Sequence, residues 1–245
     1  MLKIEKFVTA SPEQLEIIIE GMRSPKNSWD RMDTALGCIN GICGHCSFNQ
    51  NWCGCTPRTI IGPNDHKLMM QLNNGGPVHA KYRRMIPVWV TLTAPLYLWK
   101  EFDTYKVGTV ANSCSTMHKI HAKEFVMEDF SCDRLIEDRD LCWSEDIMAG
   151  PECRSTPLDI LEDTIHALNI YRQKFLETKE KKYWEQMIQL LPSSYNQKRT
   201  LFLNYEVLHN IYISRRNHKL TEWHVFCDWI KDSLPYSELI TGEQE

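Results

Sequence analysis

Residues 191–226 read LPSSYNQKRTLFLNYEVLHNIYISRRNHKLTEWHVF. Pro192 lacks the N–H that a helix interior needs, so a helix over Lys181–Leu191 ends there. Two further helices are expected, over Lys198–Ile213 and Thr221–Ser233. Asn204 and Asn210 lie six apart on the first of these, so their side chains stand up to about 120° apart around it. Arg215 and Arg216 fall at its C-terminal end. A guanidinium there can satisfy terminal carbonyls, or it can offer a planar fork to a phosphate or a base carbonyl. The pattern leaves both roles open.

Working outward, the C-terminal half is almost wholly helical. Thr156, Pro157 and Asp159 compose a helix start, and Leu158, Leu161, Ile165, Leu168 and Phe175 keep helical spacing behind it. Lys179–Lys182 is a charge run that continues or links helices in solvent. In the N-terminal half, Ser11-Pro12 starts a helix with Leu15, Ile18, Ile19 and Met22 on one face, ended by Gly21 and Ser24-Pro25. A short helix is expected over Asp65–Asn73, stopped by Gly75-Gly76-Pro77. Val88–Thr93 alternates and is rich in β-formers, so it reads as a strand, and Pro87 confines it to an edge or makes it a strand start. Pro95 opens another helix with Leu96, Trp99 and Phe102 on one face.

The chain has 245 residues, 42% hydrophobic and 24% charged, enough to bury a core without disulfide staples. Its formal net charge of −4 lacks the basic excess of a dedicated nucleic-acid or anionic-membrane binder. The start, MLKIEKF, puts Glu5 and Lys6 where a signal peptide needs its apolar stretch. The apolar run Ile86–Trp99 is broken by two prolines and is shorter than the roughly 18 residues of a membrane span. A cytoplasmic protein with no membrane or nucleic-acid partner is expected, with its ten cysteines reduced.

Five of those cysteines, Cys38, Cys43, Cys46, Cys53 and Cys55, gather with His45 in a Gly- and Asn-rich insert at 38–55. Cys43-x-x-Cys46 and Cys53-x-Cys55 are short-spaced pairs with glycines that permit tight turns toward one ion, so the insert reads as a zinc knuckle or as a metal-free Cys-rich loop. His118, His121 and Glu124 would share a face if helical, as ligands, acid–base groups or plain solvated residues.

Residues 95–118, PLYLWKEFDTYKVGTVANSCSTMH, run an aromatic helix into Thr104, Tyr105, Lys106, Thr109, Asn112, Ser113, Cys114, Ser115 and Thr116. Small hydroxyls beside a lysine and open backbone amides suit phosphate and heterocycle binding, and a long polar loop has the same composition. There is no Gly-rich phosphate loop and no Gly-x-Ser-x-Gly elbow.

At these two segments the chain resembles the flavin-dependent thymidylate synthases. In that family a strand ends in Ala-Pro, and the following helix leads into Arg-His-Arg-x-x-Ser-x-Asn-x-x-Ser-x-Arg. Here Ala94-Pro95 stands at the matching place, and the motif falls on Thr104, Tyr105, Lys106, Thr109, Ala111, Cys114 and Thr116. Lys106 and Thr109 are conservative replacements, and Asn112 lies one place beyond the motif asparagine. The family's Leu-Pro, Asn, Asn and Arg fall in register on Leu191-Pro192, Asn204, Asn210 and Arg215, with Trp223 after a one-residue insertion. The position of a family arginine before Leu-Pro holds Ile188. The Cys-rich insert has no counterpart.

The resemblance implies one α+β domain over 1–245: a small antiparallel sheet flanked by helices, with a mostly helical C-terminal half. It implies FAD on Thr104, Tyr105, Lys106, Asn204 and Asn210. A pyrimidine nucleotide such as dUMP would lie on Glu101, Asn112, Ser113, Cys114, Ser115, Thr116 and Arg216, with Arg215 as the catalytic group that polarises the ring. It implies a homotetramer that uses methylene-folate and a nicotinamide reductant for the reductive methylation of dUMP. The altered central motif equally suits a homologue that binds nucleotide or flavin without turnover, and the Cys patch suits a zinc-bearing interaction protein.

Overall fold

The computed structural model describes residues 2–38, 57–138 and 155–242. Six strands and eight α-helices are found among them. Strand β1 (Lys3–Thr9) precedes helix α1 (Pro12–Arg23). Ser11 caps α1 as its sequence predicts: the Ser11 hydroxyl accepts from Gln14 N at 3.2 Å and Ser11 N donates to Gln14 Oε1 at 2.9 Å. The helix runs through Gly21 and ends at Arg23, where Ser24-Pro25 stops it as expected. Strands β2 (Ala35–Cys38) and β3 (Pro57–Ile60) pair antiparallel with Cys38 opposite Pro57. The cysteines and histidine read above as a possible zinc knuckle, Cys43, His45, Cys46, Cys53 and Cys55, lie outside the described residues.

Helix α2 (Pro63–Asn74) stops at Gly75, and Gly76 follows at φ +85°, a left-handed conformation that glycine adopts without a Cβ clash. Strand β4 (Pro87–Pro95) begins on the proline, and helix α3 (Leu96–Phe102) follows it directly. Val88, Val90, Leu92 and Ala94 are buried along one face of β4, while on the other face Trp89 is exposed and Thr91 is buried. Strand β5 (Val110–Ser113) is exposed along its whole length.

Helix α4 (Pro157–Thr178) carries the predicted capping box, Asp159 N to Thr156 Oγ1 at 3.0 Å and Thr156 N to Asp159 Oδ2 at 2.7 Å. Lys179 at φ +61° then separates it from helix α5 (Lys181–Leu190), so the charge run links two helices. The expected helix over 198–213 is a correction: residues Asn196–Asn204 form strand β6, and helix α6 (Tyr205–Arg215) begins only after Asn204. Gln197, Leu201 and Leu203 are buried while Lys198 and Thr200 face out, so burial follows a period of 2 and overrides local helix propensity. Helices α7 (Thr221–Ser233) and α8 (Glu238–Thr241) complete the chain. Four strands make one small antiparallel sheet in the order β1-β4-β6-β5. Pro87 therefore marks a strand start and not an edge.

The chain divides into two compact units. The first draws on Met1–Glu5, Thr91–Thr104 and Ala111–Thr200. Its core joins Leu161, Leu168 and Met187 of α4 and α5 to Ile120, Phe125 and Phe130. The second draws on Lys6–Val90, Tyr105–Val110 and Leu201–Glu245. In it, Met69, Leu203, Leu208, Ile211, Trp223, Phe226 and Ile230 are essentially inaccessible to solvent. No helix among the described residues is long and apolar enough to cross a membrane.

Candidate functional site

In the second unit the structure brings Tyr105, Arg215 and Trp223 together. Trp223 is fully buried on α7, in edge contact with Phe226 at 6.0 Å. Tyr105 meets its ring edge-on at 6.1 Å. Arg215, half-buried at the last position of α6, lays its guanidinium 5.1 Å from the Trp223 ring centroid and 5.6 Å from that of Tyr105. Its Nε donates to the Tyr105 hydroxyl at 2.9 Å. Trp223 offers its ring to the cation and Tyr105 accepts through its hydroxyl, so two contacts orient the guanidinium. Arg216 differs: it is exposed and leans over Tyr212 at 5.7 Å.

Asn204 is buried and is not a mid-helix residue. It is the N-cap of α6, its Oδ1 accepting from Val207 N at 3.0 Å. A Cβ built on Gly108 would stand 3.2 Å from Asn204 Nδ2 and 3.0 Å from Val207, so the glycine is what lets this loop approach α6. Next to it, the Thr109 hydroxyl oxygen is enclosed and has no hydrogen-bond partner among the described residues. Asn210 and Lys106 are exposed.

The first unit holds the rest of the sequence-predicted set. Thr104 is exposed and its hydroxyl donates to the Glu101 carbonyl at 2.7 Å, closing α3. Glu101 is half-buried on that helix. Asn112 and Ser113 lie exposed on β5. Cys114 is exposed, with its backbone N on Lys198 O at 2.9 Å and its carbonyl accepting from Gln197 Nε2 at 3.1 Å. The Ser115 hydroxyl accepts from His118 N at 3.0 Å, and Thr116 is half-buried. His118, His121 and Glu124 do not share a helical face: this stretch is a run of turns, and the His121 ring packs on Phe175 at 4.8 Å. Among the described residues, no group of three or more His, Cys, Asp or Glu side chains is placed to hold a metal.

Arg199 has site-like chemistry that the sequence reading passes over. Its guanidinium covers the buried Trp99 ring at 4.4 Å, and its Nε and Nη1 donate to Gln197 Oε1 at 2.8 Å and Asp103 Oδ1 at 2.6 Å. The signal is the alternation of Gln197, Arg199 and Leu201, which the helix expected over this stretch conceals. Two other groups are poor acids: burial pushes the Tyr195 hydroxyl up to about 12, assisted by the Asp129 carboxylate, and burial pushes the Cys227 thiol up to about 12.

The fold is that of the flavin-dependent thymidylate synthases. Thymidylate synthase X from Helicobacter pylori, in a structure with FAD and dUMP, superposes with a TM-score of 0.60 at 15% identity, over 98% of this chain and 97% of that one. A second structure of the Helicobacter pylori flavin-dependent enzyme complexed with FAD and dUMP gives 0.57 at 14% identity, over 100% and 99%. A UMP/dUMP methylase from Streptomyces cacaoi, bound with 5-Br dUMP, gives 0.51 at 12% identity, over 94% and 88%. No protein-family model matches the sequence, and no curated protein does.

Proposed function

We propose that this chain is a flavin-dependent enzyme that modifies a pyrimidine deoxynucleotide, in the simplest case by reductive methylation of dUMP to dTMP. The observation that carries the reading is Arg215. It is oriented by Tyr105 and Trp223, on a fold whose solved neighbours include two structures with FAD and dUMP and one bound with 5-Br dUMP. An oriented guanidinium can take the pyrimidine carbonyl and ring nitrogen as a bidentate pair and stabilise the charge that develops there. Arg216, exposed beside it, is suited to the nucleotide's phosphate or to competition for the same ring. Glu101, Asn112, Ser113, Cys114, Ser115 and Thr116 are the remaining candidates for nucleotide contact.

The residues present fit a flavin. Asn204 spends its oxygen on the helix cap but keeps Nδ2 as a donor, Asn210 and Lys106 are exposed, and the enclosed Thr109 hydroxyl has no hydrogen-bond partner among the described residues. Thr104 and Tyr105 complete the set. When bound, FAD would supply hydride transfer, and a methylene-folate carbon donor and a nicotinamide reductant would be the co-substrates. The chain works as one domain in a homotetramer on this reading.

A second reading is a nucleotide- or flavin-binding homologue without turnover. It is favoured by one specific observation: the family's first motif arginine is Thr104 here, and its hydroxyl is spent on its own helix. Absorbance of the purified protein after incubation with FAD, followed by dTMP formation, separates the two. Flavin bands with product support the enzyme, flavin bands without product support the binding homologue, and no flavin at high micromolar FAD removes the enzyme and leaves only a nucleotide-binding homologue, which dUMP titration then tests.

A further inference from the structure

A cavity of about 620 Å³ lies in the second unit, lined by the end of α1, the two short turns after it and the start of α2. Its lining brings four cations, Arg23, Lys26, Arg31 and Lys67, against one acid, Asp30. None of its lining residues belongs to the Arg215 set. Lys26, Arg31 and Lys67 are exposed, and their side chains have no ion-pair partner among the described residues. Like charges gathered round a concavity repel one another unless an anion sits among them.

Arg23 is different in kind. It is only 3% exposed. Its Nε bonds the carboxylate of Asp65, which is fully buried, and its Nη1 lies 3.3 Å from both the Ser28 carbonyl and the Ser28 hydroxyl. Asp65 cannot turn away, because its other oxygen takes Asp33 N at 2.9 Å, Thr34 N at 2.8 Å and the Thr34 hydroxyl at 2.6 Å. The guanidinium is therefore held in place by the fold, and Arg23 lines the cavity from that fixed position. The helix end contributes little, since Asp33 already takes the α2 amides of Asn64 and Asp65 at 2.9 and 3.0 Å.

We propose that this cavity binds the phosphate group of a small phosphorylated molecule, with Arg23 as the fixed donor and Lys26, Arg31 and Lys67 closing round the oxygens. A preoriented buried guanidinium suits a tetrahedral oxyanion better than a carboxylate-free apolar ligand, and a concavity of this size suits a small molecule.

The test is calorimetric titration of the full chain at constant ionic strength with inorganic phosphate, pyrophosphate and ribose 5-phosphate. A Kd of about 1 mM or tighter for pyrophosphate is expected. Lys67→Glu and Arg31→Glu, both at the exposed rim, should each weaken binding about tenfold or more while the melting temperature stays unchanged. Arg215→Ala should leave this binding intact, which separates it from the nucleotide site. Ribose 5-phosphate binding tighter than inorganic phosphate identifies a phosphoester as the ligand, and equal affinity identifies phosphate alone; either supports the proposal. No binding, or unchanged binding in both rim variants, overturns it. So does a short single-stranded oligonucleotide that binds tighter than pyrophosphate and is lost in the same variants, which would make this a nucleic-acid surface.

Discussion

Replacing Arg215 by lysine separates its two possible roles. Lysine keeps a positive charge in the last turn of α6, worth about 0.3–1 kcal/mol against the helix dipole. If Arg215 serves only the helix end, melting and dUMP affinity should both be nearly unchanged. What lysine cannot supply is the planar fork that bonds Tyr105 at 2.9 Å and faces Trp223 at 5.1 Å. A charge-assisted hydrogen bond to the pyrimidine is worth about 1.5–3 kcal/mol, and half-burial of the side chain places the expected loss toward the lower half of that range. That is about a tenfold to thirtyfold rise in the Kd for dUMP, at about 1.4 kcal/mol per decade. The assay is isothermal calorimetry with dUMP, with thermal melting as control. Arg216→Lys is the internal comparison, because Arg216 is exposed over Tyr212 and should change affinity less. Equal dUMP affinity in wild type and Arg215→Lys would refute the assignment.

Asp65→Ala should cost about 3–5 kcal/mol in denaturant unfolding, because it strands the buried Arg23 guanidinium. Burial works to raise the Asp65 carboxyl, but hydrogen bonds from Thr34 and Arg23 and the amides of Asp33 and Thr34 hold it below its ordinary value. Its contribution is therefore present above the unfolded value near 3.8 and is lost as pH falls through the lower folded value, so the acid limb of a stability–pH curve should flatten in the variant. Burial lowers the His209 imidazole, which means the unfolded chain binds the extra proton: stability should rise with pH and drain as pH falls below about 6.5, a slope that His209→Gln should remove. Asn204→Ala should cost about 1 kcal/mol of stability as a lost N-cap, while Asn204→Asp keeps the cap and should weaken FAD alone, read as the flavin Kd. Elemental analysis should find zinc in the reduced protein and lose it in Cys43→Ser with Cys46→Ser; a metal-free wild type would make the insert a plain loop.

Much of the architecture was legible because capping and breaking residues act locally. Ser11-Pro12, Thr156-Pro157 and Gly75-Gly76 each fix a helix end through their own neighbours, and the structure keeps all three. The strands were harder. Strand β1 carries lysine and glutamate among its apolar residues, and β5 is exposed throughout, so neither shows a buried face to a sequence reader. Strand β6 looks helical in sequence because QKRTLFLN contains good helix formers, and only pairing within the sheet makes its period-2 burial decisive. In the candidate site, Arg215 and Trp223 are both named from the sequence, while the contact of Arg215 with Tyr105 spans 110 residues and could be placed only by the fold.

The misread strand changes what the asparagines can mean. On one continuous helix, Asn204 and Asn210 would be equivalent surface carboxamides, each with both ends available. With the strand ending at Asn204, they part. Asn204 must cap α6, since Val207 N would otherwise lose its partner, and that cap helps set the axis on which Arg215 is carried three turns later. Gly108, at φ +80°, then packs against the same carboxamide. A residue in this position couples the geometry of the aromatic-flanked arginine to whatever binds at its Nδ2, whereas exposed Asn210 can act only by direct contact. Loss of flavin in Asn204→Ala is therefore weak support for a flavin contact, because the helix that bears Arg215 moves with its cap; the same loss in Asn204→Asp, where the cap oxygen remains, is strong support.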